Sequence, residues 1–565
     1  MSETFSRGNR TATGAFRPWN AAFLTTSRWA SALVILLASL LLFSLNLERP
    51  AHPDELYHIL PARGLLETGE PRIGEGLYLR AYPYTWIVAQ SFAWFGESLA
   101  SARLPSVIAT AALVAILFLW LWREAGPGAA WIGAGLYAIS PFAVQIAQFT
   151  RFYAVQSLFF VIGSLLVYEL LLRPGSRGRA LLLGLAAAAS FAFAALLQPT
   201  TLMGVTAVAA WAAPLLAWRW WREEGVPRWR RWAPIAAGLL VVLAGFGLAW
   251  ESGLLAKAWH MYRSTPLFNA ATRDQFWFYH ARYILFYPTL WAATGLLAVA
   301  ALAFLPRPGW FAVVLFAVSF LLNSFAGPKN MRYIAYAQPF MFVVWGLGLV
   351  AVWPWLRAGM AKLRERLDAQ LGTGFPKPRM LARLLIGLAL AFLVLANPFW
   401  LRTVTLLADI PVPPEKPSVR WELAVPALAP WLARVDVVVT AEELGTLYYL
   451  GRYDIAFNIS KRGELPPEQR RDFGIDPRTG RPVIGSVAAL ERVWRCTSSG
   501  LFVSPERRWG TRTSVFPEAA TFIESRMRRL ELPPASRLRA YVWEHEPAGD
   551  DPACAELPPL GKPRS

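Results

Sequence analysis

The stretch "NLERPAHPDELYHILPARGLL" (residues 46–66) closes a long apolar run at 29–47 and then places two carboxylates side by side, Asp54 and Glu55. How this junction is read decides the fold. Apolar runs of about 18–25 residues, the length an α-helix needs to cross a hydrocarbon core of roughly 30 Å, recur along the chain. The whole sequence of 565 residues is 55% hydrophobic and 14% aromatic. A water-soluble protein of that length requires more polar surface, so the chain reads as a polytopic α-helical membrane protein. Its 27 tryptophans gather near the ends of the runs, where interfacial anchors belong. The carboxylate pair therefore stands at a membrane surface.

Eleven spans are expected, at 29–47, 101–122, 128–145, 155–172, 180–197, 201–218, 233–250, 286–305, 309–326, 333–356 and 381–400. The net charge of +19 suggests nucleic acid at first sight, but the basic residues sit in alternate short loops. These include "RPGSRGR" (173–179), "WRWWREEGVPRWRR" (218–231) and the stretch 357–383, together with the tail 1–28. By the positive-inside rule that set is cytoplasmic, and nucleic-acid binding is set aside. No small-residue cleavage site follows the first run, so it reads as an uncleaved span. The organisation expected is a disordered cytoplasmic tail at 1–28, a transmembrane domain at 29–400 with a first extracytoplasmic loop at 48–100, and an extracytoplasmic domain at 401–565. In the last of these, "VDVVVT", "YDIAFNIS", "LFVSP" and "LRAYVWEH" read as strands. Helical patterns at 486–495 and 517–530 alternate with them, which implies an α/β layer domain. Thr440 and Glu443 have capping-box spacing for the helix that begins "AEELGTLYYL". Cys496 and Cys554, the two cysteines of the chain, share this exported domain and are expected to form a disulfide. No Gly-rich phosphate loop supports a nucleotide site there.

Pro53-Asp54-Glu55 is also ordinary helix-start chemistry, with proline at the first helical position and acids in the first turn. The setting favours more than that, because the carboxylates face the depth at which a lipid-borne substrate lies. Extracytoplasmic cations run against the positive-inside rule and need a reason. For the long loop 251–285 headgroup anchoring and a substrate role stay level as readings. Arg80, Arg151, Lys329 and Arg332 differ, each standing in or beside a short turn with aromatic neighbours: "YLRAYPY", "FTRFYAV" and "PKNMRYIAY". Such positions suit an anionic phosphate, gripped by the guanidinium fork or by the ammonium point charge. His58, Arg103 and Tyr153 are further candidates for a substrate cavity. With His52 and His58 flanking the acids, a divalent cation is an open alternative.

The order of motifs carries a resemblance. "HPDELYHILPARGLLETGEP", then "YLRAYPYTWIVAQSFAWFGESLASARLPSVIAT", "SPFAVQIAQFTRFYAVQSLF" and, late in the chain, "GPKNMRYIAYAQPF" resemble the membrane-embedded GT-C glycosyltransferases. More closely, they are similar to the bacterial family related to protein O-mannosyltransferases and to the aminoarabinose transferase of lipid A. The resemblance implies transfer of a sugar from a polyprenyl phosphate to a lipid, glycan or protein acceptor, at the outer face of a bacterial inner membrane. On it, Asp54 matches the catalytic carboxylate and Glu55 its paired neighbour. Arg80 stands where relatives carry Lys-Pro-Pro, and Arg332-Tyr333 matches the late Arg-Tyr motif. "RAYP" departs from that pattern, and Gln148 and Arg151 stand where some relatives have an acid. A lipid or sugar-lipid transporter, or an envelope glycan polymerase, is the competing reading. A transporter would place ionisable residues within spans and show broken helices or repeated halves, whereas here the charges collect on one face.

Overall fold

The computed structural model describes residues 21–222, 275–371 and 395–558, apart from 174, 414, 416, 471 and 549–550, with short pieces between 247 and 263 and between 387 and 393. Helix α1 (Ala21–Phe43) begins inside the segment expected as a disordered tail. The expected span 233–250 lies almost wholly outside the described residues, as does the first part of 381–400. Beyond α1 come α2 (Pro53–Thr68), a hairpin of β1 (Arg72–Ile73) and β2 (Gly76–Leu77), and α3 (Tyr82–Phe95). The bundle continues with α4 (Leu99–Ala125), α5 (Pro127–Ala138), α6 (Pro141–Ala147), α7 (Tyr153–Leu172), α8 (Arg177–Leu197) and α9 (Thr201–Arg222). It closes with α10 (Leu254–Arg263), α11 (Phe278–Phe286), α12 (Pro288–Phe304), α13 (Pro306–Phe325) and α14 (Gln338–Leu371).

Among the described residues, six helices are long and apolar enough to span a membrane, and eight spans result if each of two bent pairs counts as one. The apolar part of α1 is shorter, Ser27–Phe43. The first bent pair divides the expected span 128–145, whereas the second breaks at the start of the expected span 286–305, which α12 fills. Helices α5 and α6 meet at 59°, and α11 and α12 at 111°, each break falling just before a proline, Pro141 or Pro288. A proline cannot donate to the preceding turn and clashes with it, yet it starts a new helix readily. Where spans touch, small residues let backbones close up. A Cβ on Gly346 of α14 would stand 2.8 Å from the Ala129 carbonyl and 2.9 Å from the Gly133 Cα, both in α5.

The C-terminal part begins with α15 (Phe399–Leu407) and α16 (Val425–Leu432) and then forms one seven-stranded sheet. Its strands are β3 (Val437–Thr440), β4 (Ile455–Phe457), β5 (Gly474–Ile475), β6 (Pro482–Ile484), β7 (Ser499–Pro505), β8 (Arg528–Leu530) and β9 (Leu538–Glu544). The spatial order is β5-β6-β4-β3-β7-β9-β8. Pairing is parallel for β6/β4, β4/β3 and β3/β7 and antiparallel at both edges. Helices α17 (Glu443–Leu450), α18 (Ile459–Glu464), α19 (Val487–Cys496) and α20 (Pro517–Arg526) connect the strands. The run Val437-Val438-Val439 is apolar without alternation because the sheet is covered on both faces. Val437 and Val439 pack with Leu490, Val493 and Ile523 on one side, and Val438 with Trp421 and Leu428 on the other.

Two local expectations change here. The helix expected over 517–530 ends at Arg526, and 528–530 becomes the edge strand β8 paired with β9. The capping box of Thr440 and Glu443 does not form. Thr440 Oγ1 accepts from the Glu442 N–H at 3.0 Å, while Glu443 turns its carboxylate to Lys461 at 2.6 Å. Cys496, at the end of α19, is disulfide-bonded to Cys554 across a separation of 58 residues, with a Cα–Cα distance of 5.4 Å. Replacing Cys554 by alanine should lower the stability of this part by roughly 2–4 kcal/mol. Thermal unfolding of the variant, and of the parent with and without a thiol reductant, measures it.

The α/β part is latched onto the helical part. Helix α17 packs on α2, and the Ala51 N–H donates to the Tyr449 hydroxyl at 3.2 Å. The β1–β2 hairpin meets the turn 478–480, where a Cβ on Gly76 would lie 2.6 Å from the Arg478 carbonyl carbon. Arg481 pairs with Glu75 of the hairpin at 2.6 Å.

Candidate active site

Helix α2 starts at an extended His52, with Pro53 at its first position. His52 Nδ1 accepts from the Asp54 N–H at 3.1 Å, and a Glu55 oxygen accepts from the His52 N–H at 2.8 Å, a reciprocal cap. Neighbouring residues on a helix point about 100° apart, so the two carboxylates cannot face one target. Glu55 turns inward. It is 2% exposed and takes both forks of Arg103, at 2.8 and 2.7 Å, plus the Thr150 N–H at 2.9 Å. Burial pushes the Glu55 carboxyl up, but Arg103 and these N–H donors outweigh it and bring its pKa down to about 2.

Asp54 turns outward into a cavity of about 1200 Å³ between the helical part and the α/β part. Its Oδ2 accepts from Arg332 Nη1 at 2.6 Å, and Arg151 Nη1 donates to its backbone carbonyl at 3.1 Å. Burial raises the Asp54 pKa, yet Arg332, His52 and Arg151 together hold it well below the usual carboxylate range. Arg332 lies in the 3-10 turn Met331–Ile334, its guanidinium over the rings of Phe149, Tyr153 and Tyr333. Arg80, exposed at the cavity wall, touches Gln198 at 3.5 Å and the Phe152 ring. The Nε atoms of both Arg151 and Arg332 are buried with no hydrogen-bond partner. Cations outnumber carboxylates in the lining by seven to four, so the cavity favours an anion.

Of the residues singled out from sequence, Asp54, Arg80, Arg151, Tyr153, Arg332 and Tyr333 line this cavity, and Glu55, His58, Arg103 and Lys329 do not. His58 is fully buried, bonded to Thr85 Oγ1 at 2.9 Å and ringed by Tyr78, Tyr84 and Phe152. Burial, reinforced by Arg151 and Arg80, drives its pKa well below the ordinary histidine value, so the imidazole is neutral. Lys329 folds back on the end of α13, where its ammonium donates to the carbonyls of Asn323, Ser324 and Ala326. It closes a helix terminus instead of reaching a phosphate. Gln148 holds the end of α1, donating to the carbonyls of Phe43 and Leu45 at 3.1 and 2.6 Å.

Among the described residues no three His, Cys, Asp or Glu side chains gather as a metal site. The donor set at Asp54 does not fit a dication, since Glu55 is committed to Arg103 and the nearest charges are guanidiniums. The sequence reading missed the opposite wall, formed by Glu442, Glu443, Lys461, Arg478, Arg507 and Arg508. A signal was present: "ERR" at 506–508 follows immediately on strand "LFVSP".

The overall fold is one already seen in solved structures. The crystal structure of ArnT from Cupriavidus metallidurans bound to undecaprenyl phosphate superposes with a TM-score of 0.57 at 16% identity, covering 92% of this chain and 98% of that one. ArnT in the apo state gives 0.55 at 16% identity over the same shares. The archaeal oligosaccharyltransferase AglB from Archaeoglobus fulgidus, in complex with an inhibitory peptide and a dolichol-phosphate, gives 0.50 at 14% identity, over 74% of this chain and 59% of that one. No family model matches the chain, and no curated protein sequence does.

Proposed function

We propose that the protein is a glycosyltransferase that moves a hexosyl- or pentosyl-type sugar from a polyprenyl phosphate to an acceptor hydroxyl, at the outer face of the bacterial inner membrane. In this reading the N-terminus is cytoplasmic and residues 401–565 are periplasmic. One observation carries it: an ionised carboxylate, Asp54, stands beside Arg332 in a large cationic cavity at the end of an apolar helix bundle. The fold shared with ArnT, crystallised with undecaprenyl phosphate, supports a lipid-linked donor.

The chemistry follows from the walls. Asp54 takes the acceptor's hydroxyl proton as the oxygen attacks the anomeric carbon. The bond from that carbon to the phosphate breaks, and the departing phosphate is stabilised by Arg80 and by the unpartnered Nε faces of Arg151 and Arg332. Attack opposite the leaving group inverts the anomeric carbon. Arg332 keeps Asp54 a weak base while the cavity is empty of anion. A donor phosphate shares that guanidinium, so Asp54 gains basicity when there is sugar to transfer.

The test is transfer of labelled sugar from undecaprenyl phosphate by the purified protein, together with donor binding. Arg80→Ala should weaken undecaprenyl phosphate binding by roughly tenfold or more, the weight of one charge-assisted contact, with the protein still folded. A parent protein that neither binds undecaprenyl phosphate nor transfers sugar would remove the reading.

A further inference from the structure

The parallel strands of the α/β part deliver their carboxyl ends to the cavity. The chain leaves β3 at Glu442, β4 at Asn458 and β7 at Arg507, and residues from all three departures line the space that holds Asp54. From β3 the chain builds β4 and then β6 on one side, and β7 returns to the other side of β3. The direction of construction therefore reverses between β3 and β7. In open α/β sheets, ligands bind in the crevice outside the carboxyl ends at such a reversal.

Three charged side chains fill that crevice. Arg507 Nη2 reaches both Glu442 oxygens, at 3.2 and 3.3 Å, and Arg508 Nε approaches the same carboxylate at 3.7 Å. Glu442 is 2% exposed at its side chain, whereas Arg507 and Arg508 are 31% and 26% exposed. Two guanidiniums share one carboxylate and stay partly exposed to a cavity whose lining carries seven cations against four carboxylates. The neighbouring cations are already committed. Lys461 lies between Glu443 at 2.6 Å and Asp476 at 2.8 Å, and Arg478 is paired with Glu464 and Asp476.

We propose that this crevice is the acceptor subsite, and that Arg507 and Arg508 hold an anionic group, phosphate or carboxylate, on the acceptor's saccharide head. The inference rests on the transferase reading above and deepens it. Arg80, Arg151 and Arg332 serve the donor phosphate from the helical wall, Arg507 and Arg508 anchor the acceptor on the facing wall, and Asp54 opens into the same space. The α/β part is then a specificity element and not a cover.

The experiment uses the full-length protein in detergent, saturated with undecaprenyl phosphate so that the donor cations are occupied. Calorimetric titrations with glucose 1-phosphate, glucuronate and glucose follow. Glucose 1-phosphate or glucuronate should bind and glucose should not, the stronger of the two anions identifying the acceptor's charged group. The double variant Arg507→Gln/Arg508→Gln should weaken that binding by about tenfold or more. Glu442→Gln releases both guanidiniums and should tighten it, a gain that misfolding cannot mimic. Undecaprenyl phosphate affinity should stay at the parental value in every variant. Equal sugar-anion affinity in the double variant, displacement of the sugar anion by undecaprenyl phosphate, or no binding of either anion would overturn the assignment. Failure of the transferase reading shows separately, as loss of undecaprenyl phosphate binding by the parent, and the titration without that lipid still decides the arginine pair.

Discussion

Asp54→Asn should lower sugar transfer by roughly 10²–10⁴-fold, the loss typical when a general base is removed, while donor binding and folding persist. The amide keeps the shape of the carboxylate and can still accept from Arg332, so the cavity wall survives; what disappears is the ability to take a proton. The pH dependence adds a second signature. Burial alone would raise the Asp54 pKa, and Arg332, His52 and Arg151 hold it well below the usual range. A group with a depressed pKa keeps its charged form until the pH falls through that low value, so the acid limb of kcat/KM, which reports the free protein, lies below the ordinary carboxylate range. Arg332→Ala removes the largest opposing influence, raises the Asp54 pKa, and should move the acid limb to higher pH. Rate–pH profiles of the parent and Arg332→Ala measure the shift, and a parental rate in Asp54→Asn would reduce the opening motif to a helix start.

Glu55→Gln should act on the fold more than on the chemistry. The side chain joins the start of α2 to Arg103 on α4, and both partners are removed from solvent, with side-chain exposures of 2% and 0%. Breaking a buried ion pair by removing one partner costs about 3–5 kcal/mol, because the surviving charge stays desolvated. The linkage has a definite sign. The folded-state pKa of Glu55, about 2, lies below its ordinary value of 4.5. Its contribution to stability is present above that ordinary value and is lost as pH falls through the folded one. Thermal unfolding in detergent from neutral to acid pH should show this loss in the parent and not in Glu55→Gln. If the variant melts like the parent, the pair adds nothing to stability.

The transmembrane character was legible because span length and loop charge are properties of short segments. So were the strands around 437–440 and 499–505, whose unbroken apolar runs suit a sheet covered on both faces. Adjacency in sequence misled at the carboxylate pair: one residue along a helix turns the side chain through about 100°, which sends Glu55 to Arg103 and Asp54 to the cavity. Lys329 shows the same limit. A cation in a turn looks free to meet a phosphate, yet its stem reaches back to the end of α13 and satisfies carbonyls there. The facing wall was invisible for a different reason. Arg507 and Asp54 are brought to one cavity by the docking of a sheet on a bundle, and spacing along a chain does not encode that.

The latch between the hairpin and the α/β part bears on how substrates arrive. Gly76 sits so close to the turn 478–480 that no side chain fits between them, and the Arg481–Glu75 pair clasps the same seam. Swinging the α/β part away in each cycle would have to break that seam. A donor with a long prenyl tail would instead slide in sideways from the surrounding leaflet, and leave by the same route. The quantity that governs encounter is then the mole fraction of donor in the lipid or micelle phase, not its concentration in the bulk solution. Diluting that phase with inert amphiphile would slow the reaction while the total amounts of protein and donor stayed the same.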